Sequence, residues 1–186
     1  MSRIPTPATI EDAPAAAHAS LNGVKASLGL VPNLYRLTAN SPAALEGLLS
    51  LGGALGKGQL PAGTRERIAL AIANVNGCSY CNSAHSYIAA NRLNLPEDEI
   101  IRARGGRASE AKTDAAVILA RKVAISRGEV KDADIAEARA AGLSDGELVE
   151  VVAHVALNVL TNYLNEVFGT EIDFPVVAAE RVAEPA

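Results

Sequence analysis

Cys78-Ser79-Tyr80-Cys81 puts two thiols three residues apart, a spacing that lets them close a disulfide within one helical turn. The pair follows Gly77 and begins a predicted helix, whose unpaired amides and positive dipole end stabilise a thiolate. Both sulfurs are therefore expected to be activated: a free cysteine has a pKa of about 8.5, and a helix N-terminus or a cationic histidine lowers it by more than about one unit. His85 lies four residues beyond Cys81 on the same helix face, with roughly 5–6 Å between β-carbons, so its imidazole can take the thiol proton. Glu66 is distant in sequence, but the helix before Gly77 and the helix after it are expected to fold back as an antiparallel pair. At roughly 1.5 Å per residue, Glu66 then lies about 16 Å and His85 about 12 Å from the turn, and the two can meet. A partly buried carboxylate there orients the ring and raises its basicity, giving a relay from Glu66 through His85 to Cys81.

Other readings of the same residues stand beside this one. Cys78, Cys81, His85 and Glu66 supply enough ligands for zinc, although adding a remote carboxylate to a helical Cys/His cluster demands unusual geometry. Burial in apolar surroundings would leave both thiols inert. Alone, His85 reads as a satisfied histidine, and Glu66, between Arg65 and Arg67, as a solvated charge. Tyr80 and Tyr87 read first as packing residues and second as the border of a substrate entrance. His18 and His154 have no cysteine neighbours, and Asn158, Asn162 and Asn165 read as interhelical or subunit hydrogen-bonding residues. None of these is assigned chemistry.

The elements that must hold the site are punctuated by proline and glycine. After an extended lead-in over about 1–14, the spacing predicts a helix from Ala15 to Leu28 stopped at Gly29, and a short one from Asn33 to Ala39. Ser41-Pro42 then caps a helix running to about Leu55. Pro61 opens the next, whose Ile68, Leu70, Ala71, Ile72 and Val75 cover more than one face, so it is expected to be central and deeply buried up to Asn76-Gly77. The cysteine helix runs from Ser79 to Asn91, and a short helix after Leu95-Pro96 carries Glu97, Asp98 and Glu99 in its first turn, where the dipole favours them. Further helices follow over Ser109 to Ser126 and Lys131 to Ala141. Ser144 caps the last, to about Phe168, with Val151, Val152, Val155, Val159 and Leu160 expected inside. With no convincing alternating strand pattern, the fold class is all-α. Leu60-Pro61-Ala62-Gly63 and Leu143-Ser144-Asp145-Gly146 lead into long apolar helices with a similar rhythm, which allows a duplicated helical unit in which only the first copy carries cysteines.

Composition narrows the function further. The 186 residues have room for a single domain, and 49% hydrophobic with 20% charged residues suits a packed globular chain. A net charge of −4 with no basic stripe argues against nucleic acid as a partner. No stretch approaches the roughly 20 apolar residues of a membrane span, and no basic segment followed by an apolar run opens the chain, so the expected location is the cytoplasm. There a close cysteine pair is a redox or metal site rather than a structural staple. The mixed charges from Arg121 to Arg139 describe a solvated helix face. The apolar last helix and the Leu28 to Leu37 stretch are expected to form a subunit interface.

Glu66, twelve residues, Cys78-x-x-Cys81, three residues and His85 together resemble the signature of the alkylhydroperoxidase (AhpD-like) and carboxymuconolactone decarboxylase family. The likeness is specific from Arg65 to His85. Val31-Pro32-Asn33-Leu34-Tyr35 and the Asn-rich last helix are similar to the family's peroxidase-related members. The resemblance implies an AhpD-like helical bundle, homo-oligomers from dimers to hexamers, and a peroxidase or disulfide reductase cycle. Cys81 would attack the peroxide oxygen to become a sulfenic acid, and Cys78 would condense with it to form the disulfide and release water. A lipoyl-type carrier or a thioredoxin-like protein would then reset the site, and no bound cofactor is needed because the sulfurs exchange the electrons. Decarboxylase members typically lack the cysteine pair, which weighs against that reaction. The best-understood peroxidases carry a histidine immediately before the second cysteine; here that position is Tyr80, so its imidazole contribution is missing.

Overall fold

Prolines and glycines cut the chain where the spacing predicts, and the computed structural model describes residues 2–180. A short 3-10 turn, Ala15–Ala17, leads into α1 (His18–Leu28), and Gly29 ends it. Then come α2 (Asn33–Thr38) and α3 (Pro42–Leu55), the latter capped by Ser41, whose side chain accepts from the Ala44 amide. The middle of the chain forms α4 (Ala62–Val75), α5 (Ser79–Asn91) and α6 (Glu97–Arg104). The last third forms α7 (Ala111–Ser126), α8 (Asp132–Ala140) and α9 (Asp145–Phe168). Among the described residues there is no strand, and no helix is long and apolar enough to cross a membrane.

The observed helix ends agree with the expected ones to within about two residues, the usual uncertainty of a frayed terminus. One cap escaped the sequence, and the expected Ser144 cap is more complete than the sequence reading had it. Glu110 caps α7, its carboxylate accepting from the Lys112 and Thr113 amides. The start of α9 is a full capping box, in which Ser144 accepts from the Glu147 amide and Glu147 accepts from the Ser144 amide.

Helix α4 is the hub, packing against α5, α6, α7 and α9. Its Ile68 and Ile72 meet Val117, Leu119 and Ala120 of α7 and Val151 and Val155 of α9 in the largest core cluster. Seven core positions of α4, from Ile68 to Asn74, are buried in succession, as the absence of a polar face there predicts. A second cluster joins the lead-in to α1 and α3 through Ala13, Leu21, Ala39 and Leu45. Arg67 of α4 holds Glu99 of α6 at 2.9 Å, fixing α6 against the hub.

Two expectations about burial fail, for one reason. Val152 is 50% and Leu160 43% exposed, while His154, Asn158, Asn162 and Asn165 are buried. The inner face of α9 runs through Leu148, Val151, Val155, Asn158, Asn162 and Asn165, so it turns polar partway along. Hydrophobicity alone picks the wrong side of the second half. In the Leu28 to Leu37 stretch, Leu34 and Leu37 are inside and only Leu28 and Leu30 are exposed as large apolar side chains.

Candidate active site

Cys78 is the N-cap of α5 and Cys81 lies in its first turn, placed there by the turn at Gly77, whose φ of +69° suits glycine. Both cysteines are free and buried. The Cys81 amide points at Cys78 Sγ, 3.4 Å away. Antiparallel packing of α4 and α5 brings the remote carboxylate to the ring: Glu66 Oε1 lies 2.7 Å from His85 Nδ1. The structure thus joins Glu66 to His85 midway along the α4–α5 pair, and the charge of His85 acts on Cys81 one turn earlier on α5.

The expectation that both sulfurs are activated does not hold, because the two environments differ. Cys78 is pushed well above the ordinary thiol range, first by its hydrogen bond to the neighbouring Cys81 and then by burial. Cys81 is lowered to about 6, first by the hydrogen bond it receives from Cys78; burial opposes this, and the His85 charge with the Asn162 and Asn165 amides adds to it. For His85, burial pulls downward, but the charge and hydrogen bond of Glu66 and the charge of Cys81 overcome it and raise the ring to about 9. At neutral pH the arrangement is a Cys81 thiolate beside a His85 imidazolium, with Cys78 a protonated donor. Among the described residues, no three His, Cys, Asp or Glu side chains converge as a metal-binding group, so the zinc reading finds no ligand set.

The sequence reading gave the asparagines of α9 interhelical hydrogen bonds and no chemistry; such bonds are present, and one of them ends on a sulfur. Asn165 Nδ2 donates to Cys81 Sγ at 3.2 Å. One turn earlier, Asn162 Oδ1 accepts from Asn76 Nδ2 at 2.8 Å. The i, i+4, i+7 spacing of Asn158, Asn162 and Asn165 continues the phase of Leu148, Val151 and Val155 and lies opposite Leu160, Tyr163 and Val167; that shared phase is the signal that would have found them. His18 and His154 lie outside the site: His18 Nε2 contacts the Ala13 carbonyl, and His154 is buried on α9, where burial lowers its pKa.

Cys81 and His85 form part of the wall of a cavity of about 440 Å³, otherwise mainly apolar and lined by Leu48, Leu49, Leu157 and Phe174 among others. Tyr87 borders it and is 41% exposed. Tyr80 also lines the cavity while packing: its hydroxyl donates to Asp173 at 2.8 Å and accepts from the Leu34 amide at 3.1 Å, and its ring meets Phe174 edge-on. The segment after α9 was not anticipated. It returns over the start of α5, with the Val177 amide donating to Ser83 Oγ and the Ala179 amide to Ser79 Oγ. Ile172 and Phe174 of this segment pack on the cluster containing Cys78, Tyr80 and Cys81.

Residues 42–126 match the model of the carboxymuconolactone decarboxylase family, and this span holds the paired cysteines, Glu66 and His85. Over those 85 of its 186 residues the chain is similar to this family, and its fold is AhpD-like. Its fold is similar to that of the alkylhydroperoxidase AhpD core, an uncharacterized peroxidase-related protein from Ralstonia eutropha JMP134, with a TM-score of 0.82 and 26% identity over 92% of both chains. An uncharacterized peroxidase-related protein from Silicibacter sp. TM1040 is similar over 91% of both chains, with a TM-score of 0.79 and 20% identity. A cysteine-to-alanine variant of the debrominase Bmp8, in complex with 2,3,4-tribromopyrrole, is similar over 93% of this chain and 94% of its own, with a TM-score of 0.77 and 21% identity. A search of curated protein sequences finds no significant match. The AhpD-like fold therefore extends well beyond the matched span, to helices α1, α8 and α9.

Proposed function

We propose that this AhpD-like protein is a cysteine peroxidase that reduces hydrogen peroxide or alkyl hydroperoxides through a Cys81/Cys78 dithiol–disulfide cycle. The observation that carries the reading is the asymmetry of the two sulfurs: Cys81, lowered to about 6, forms part of an apolar cavity wall beside a Glu66-held imidazole, while Cys78 lies buried and protonated behind it. The Cys81 thiolate attacks the distal peroxide oxygen; the S–O bond forms, the O–O bond breaks, and imidazolium at His85 protonates the departing alkoxide. Cys78 then attacks the sulfur of the sulfenic acid, its proton passes through the now neutral His85 to the leaving hydroxide, and water departs as the disulfide closes. Glu66 keeps the ring in the tautomer and charge state this exchange needs. An external dithiol, lipoyl-type or thioredoxin-like, returns the two electrons, and no cofactor takes part.

The test is thiol counting with turnover. One equivalent of peroxide should consume both titratable thiols together, and peroxide should then be consumed steadily with a dithiol donor. Two free thiols after one equivalent would overturn the proposal. If disulfides turn over while hydroperoxides do not, the protein is a general dithiol–disulfide oxidoreductase.

The apolar cavity favours one second reading. Its volume falls within the roughly 300–1,000 Å³ range of small-molecule sites, which suits an organic substrate better than hydrogen peroxide alone. The same sulfur pair supports reductive debromination: Cys81 takes bromine from carbon, the carbon is protonated, and Cys78 displaces bromide to close the disulfide. Parallel assays with an alkyl hydroperoxide and a brominated pyrrole, at equal dithiol, distinguish the two by which substrate consumes the thiols.

A further inference from the structure

Three asparagines buried on one face of a helix are a poor choice for packing, since each carboxamide must be satisfied or left short of partners in a dry environment. In α9 the inward residues Asn158, Asn162 and Asn165 are 5%, 0% and 2% exposed. Asn158 is accounted for locally, donating to the His154 carbonyl at 2.8 Å. The other two are not. The hydrogen bond that Asn165 Nδ2 makes ends on Cys81 Sγ, and Asn162 Nδ2 has no bonded partner among the described residues. Asn76 Nδ2 occupies Asn162 Oδ1, which fixes that carboxamide with its amino group directed away from Asn76.

We propose that Asn165 and Asn162 are sulfur-positioning residues: their amide donors form a back wall that holds Cys81 as a thiolate, aimed into the cavity, and so decide which cysteine attacks. A neutral thiol is a weak acceptor and gives two donors little to bind. A thiolate accepts several hydrogen bonds, so ionisation of Cys81 strengthens the Asn165 bond and supplies the acceptor that Asn162 Nδ2 lacks. Neither amide lines the cavity, so the Asn165 bond reaches the sulfur from behind the cavity wall, where Asn162 Nδ2 has no bonded partner. Cys78 receives no comparable donor from α9; the hydrogen bond to its sulfur comes from the Cys81 amide. The two amides therefore reinforce the difference between the sulfurs that His85 begins.

This inference rests on the peroxidase reading for its purpose but not for its test. The other titratable groups around Cys81 are His85 and Tyr80 of α5, Cys78 at its N-cap and Tyr35 of α2, with Glu66 of α4 acting through His85. In a Cys78→Ser background, Cys81 is the sole thiol and its ionisation can be followed by thiolate absorbance in the ultraviolet without any peroxide. Asn165→Leu is expected to raise the midpoint by about one unit, a roughly tenfold loss of thiolate on the acid side of the midpoint and only about twofold near neutral pH, with a smaller rise for Asn162→Leu. Asn165→Asp, which preserves shape and adds a like charge, is expected to raise it further and serves if the leucine variants do not fold. Asn165→Gln, which keeps an amide donor, should recover part of the shift. A purely structural role predicts an altered melting temperature with an unmoved midpoint. Unchanged midpoints in the folded leucine and aspartate variants would overturn the inference. Absence of peroxide consumption by the unmodified protein would overturn the peroxidase reading and leave this titration standing.

Discussion

The two halves of α9 face the same interior with opposite chemistry. Its first half presents Leu148, Val151 and Val155 to the main core, among Ile68, Ile72 and Val117. Its second half presents Asn162 and Asn165 towards the sulfur end of α5 and turns Leu160, Tyr163 and Val167 outward. The helix does not change direction; the purpose of its inner face changes. Where the neighbour is hydrocarbon, burial of apolar area stabilises the contact. Where the neighbour is a sulfur that must ionise, hydrogen-bond donors replace apolar packing.

The largest expected effect breaks the comparison at the sulfurs themselves. Cys81→Ser should abolish dithiol-driven peroxide consumption, by at least about a thousandfold, because a serine hydroxyl is not ionised by these neighbours. Cys78→Ser should instead allow a single attack and leave a sulfenic acid at Cys81, detectable with a dimedone-type trap. Normal turnover by the Cys81→Ser protein would reverse the assignment of the two roles.

A matched pair of substitutions sharpens the comparison along the helix. Val151→Asn places an unpartnered carboxamide in the dry half and should lower stability by about 3 kcal/mol or more in urea unfolding, through lost burial and an unsatisfied polar group. Asn162→Leu removes a carboxamide whose donor already lacks a bonded partner and whose oxygen accepts one bond from the partly exposed Asn76, and should cost less, about 1–2 kcal/mol. Equal losses in the two variants would mean that the Asn face is ordinary structural hydrogen bonding.

That inner face marks where the sequence stopped being legible. The helices themselves were readable because Pro42, Pro61, Pro96, Ser144 and the glycines impose local backbone rules that need no tertiary information. The Glu66–His85 contact was readable because a tight turn makes residue counting on two antiparallel helices a distance measurement. Three things were not. Asn165 is 84 positions from the sulfur it touches, and no periodicity links them. The inequality of the cysteines was missed because a helix N-terminus acts on both, whereas His85 and the two amides act on Cys81. The segment around Phe174 carries no helical or strand pattern, and its place over α5 depends on serine hydroxyls that look like ordinary helix residues.

Removing the charge behind the ring gives a smaller effect. Glu66→Gln keeps a hydrogen-bonding group but withdraws the charge that overcomes burial at His85, so the ring should become neutral well below its present value of about 9. Activity near pH 8 should fall by about tenfold to a hundredfold. In the unmodified protein the reactive pair needs Cys81 deprotonated and His85 protonated. The rate of thiol oxidation should therefore rise as pH passes about 6, hold, and decline beyond about 9. In Glu66→Gln the alkaline decline should move to lower pH. A pH–rate profile with its upper limb unmoved would separate Glu66 from the proton transfer.

The smallest effect on chemistry should come from the outer face of the same helix. Val149, Val152, Leu160, Tyr163 and Val167 are all at least 43% exposed, and with Ala156 they follow one another at intervals of three or four residues along α9. A seam of this spacing, roughly 27 Å long at 1.5 Å per residue, is the pattern by which one helix packs along another. We propose that a second copy of the chain covers it, each α9 burying the other's stripe about a twofold axis. Light scattering at micromolar concentration should then give a multiple of 19.2 kDa for the unmodified protein. A double change of Leu160→Glu and Tyr163→Glu should reduce it, since charges on an exposed seam hinder association without disturbing the core. Because Asn162 and Asn165 face the other way, the Cys81 titration midpoint should move by no more than a few tenths of a unit. A monomer in both cases would leave the stripe an ordinary exposed surface. A dissociated variant with a shifted midpoint would mean that association and the sulfur site are coupled through α9, and the two faces of the helix would no longer be independent.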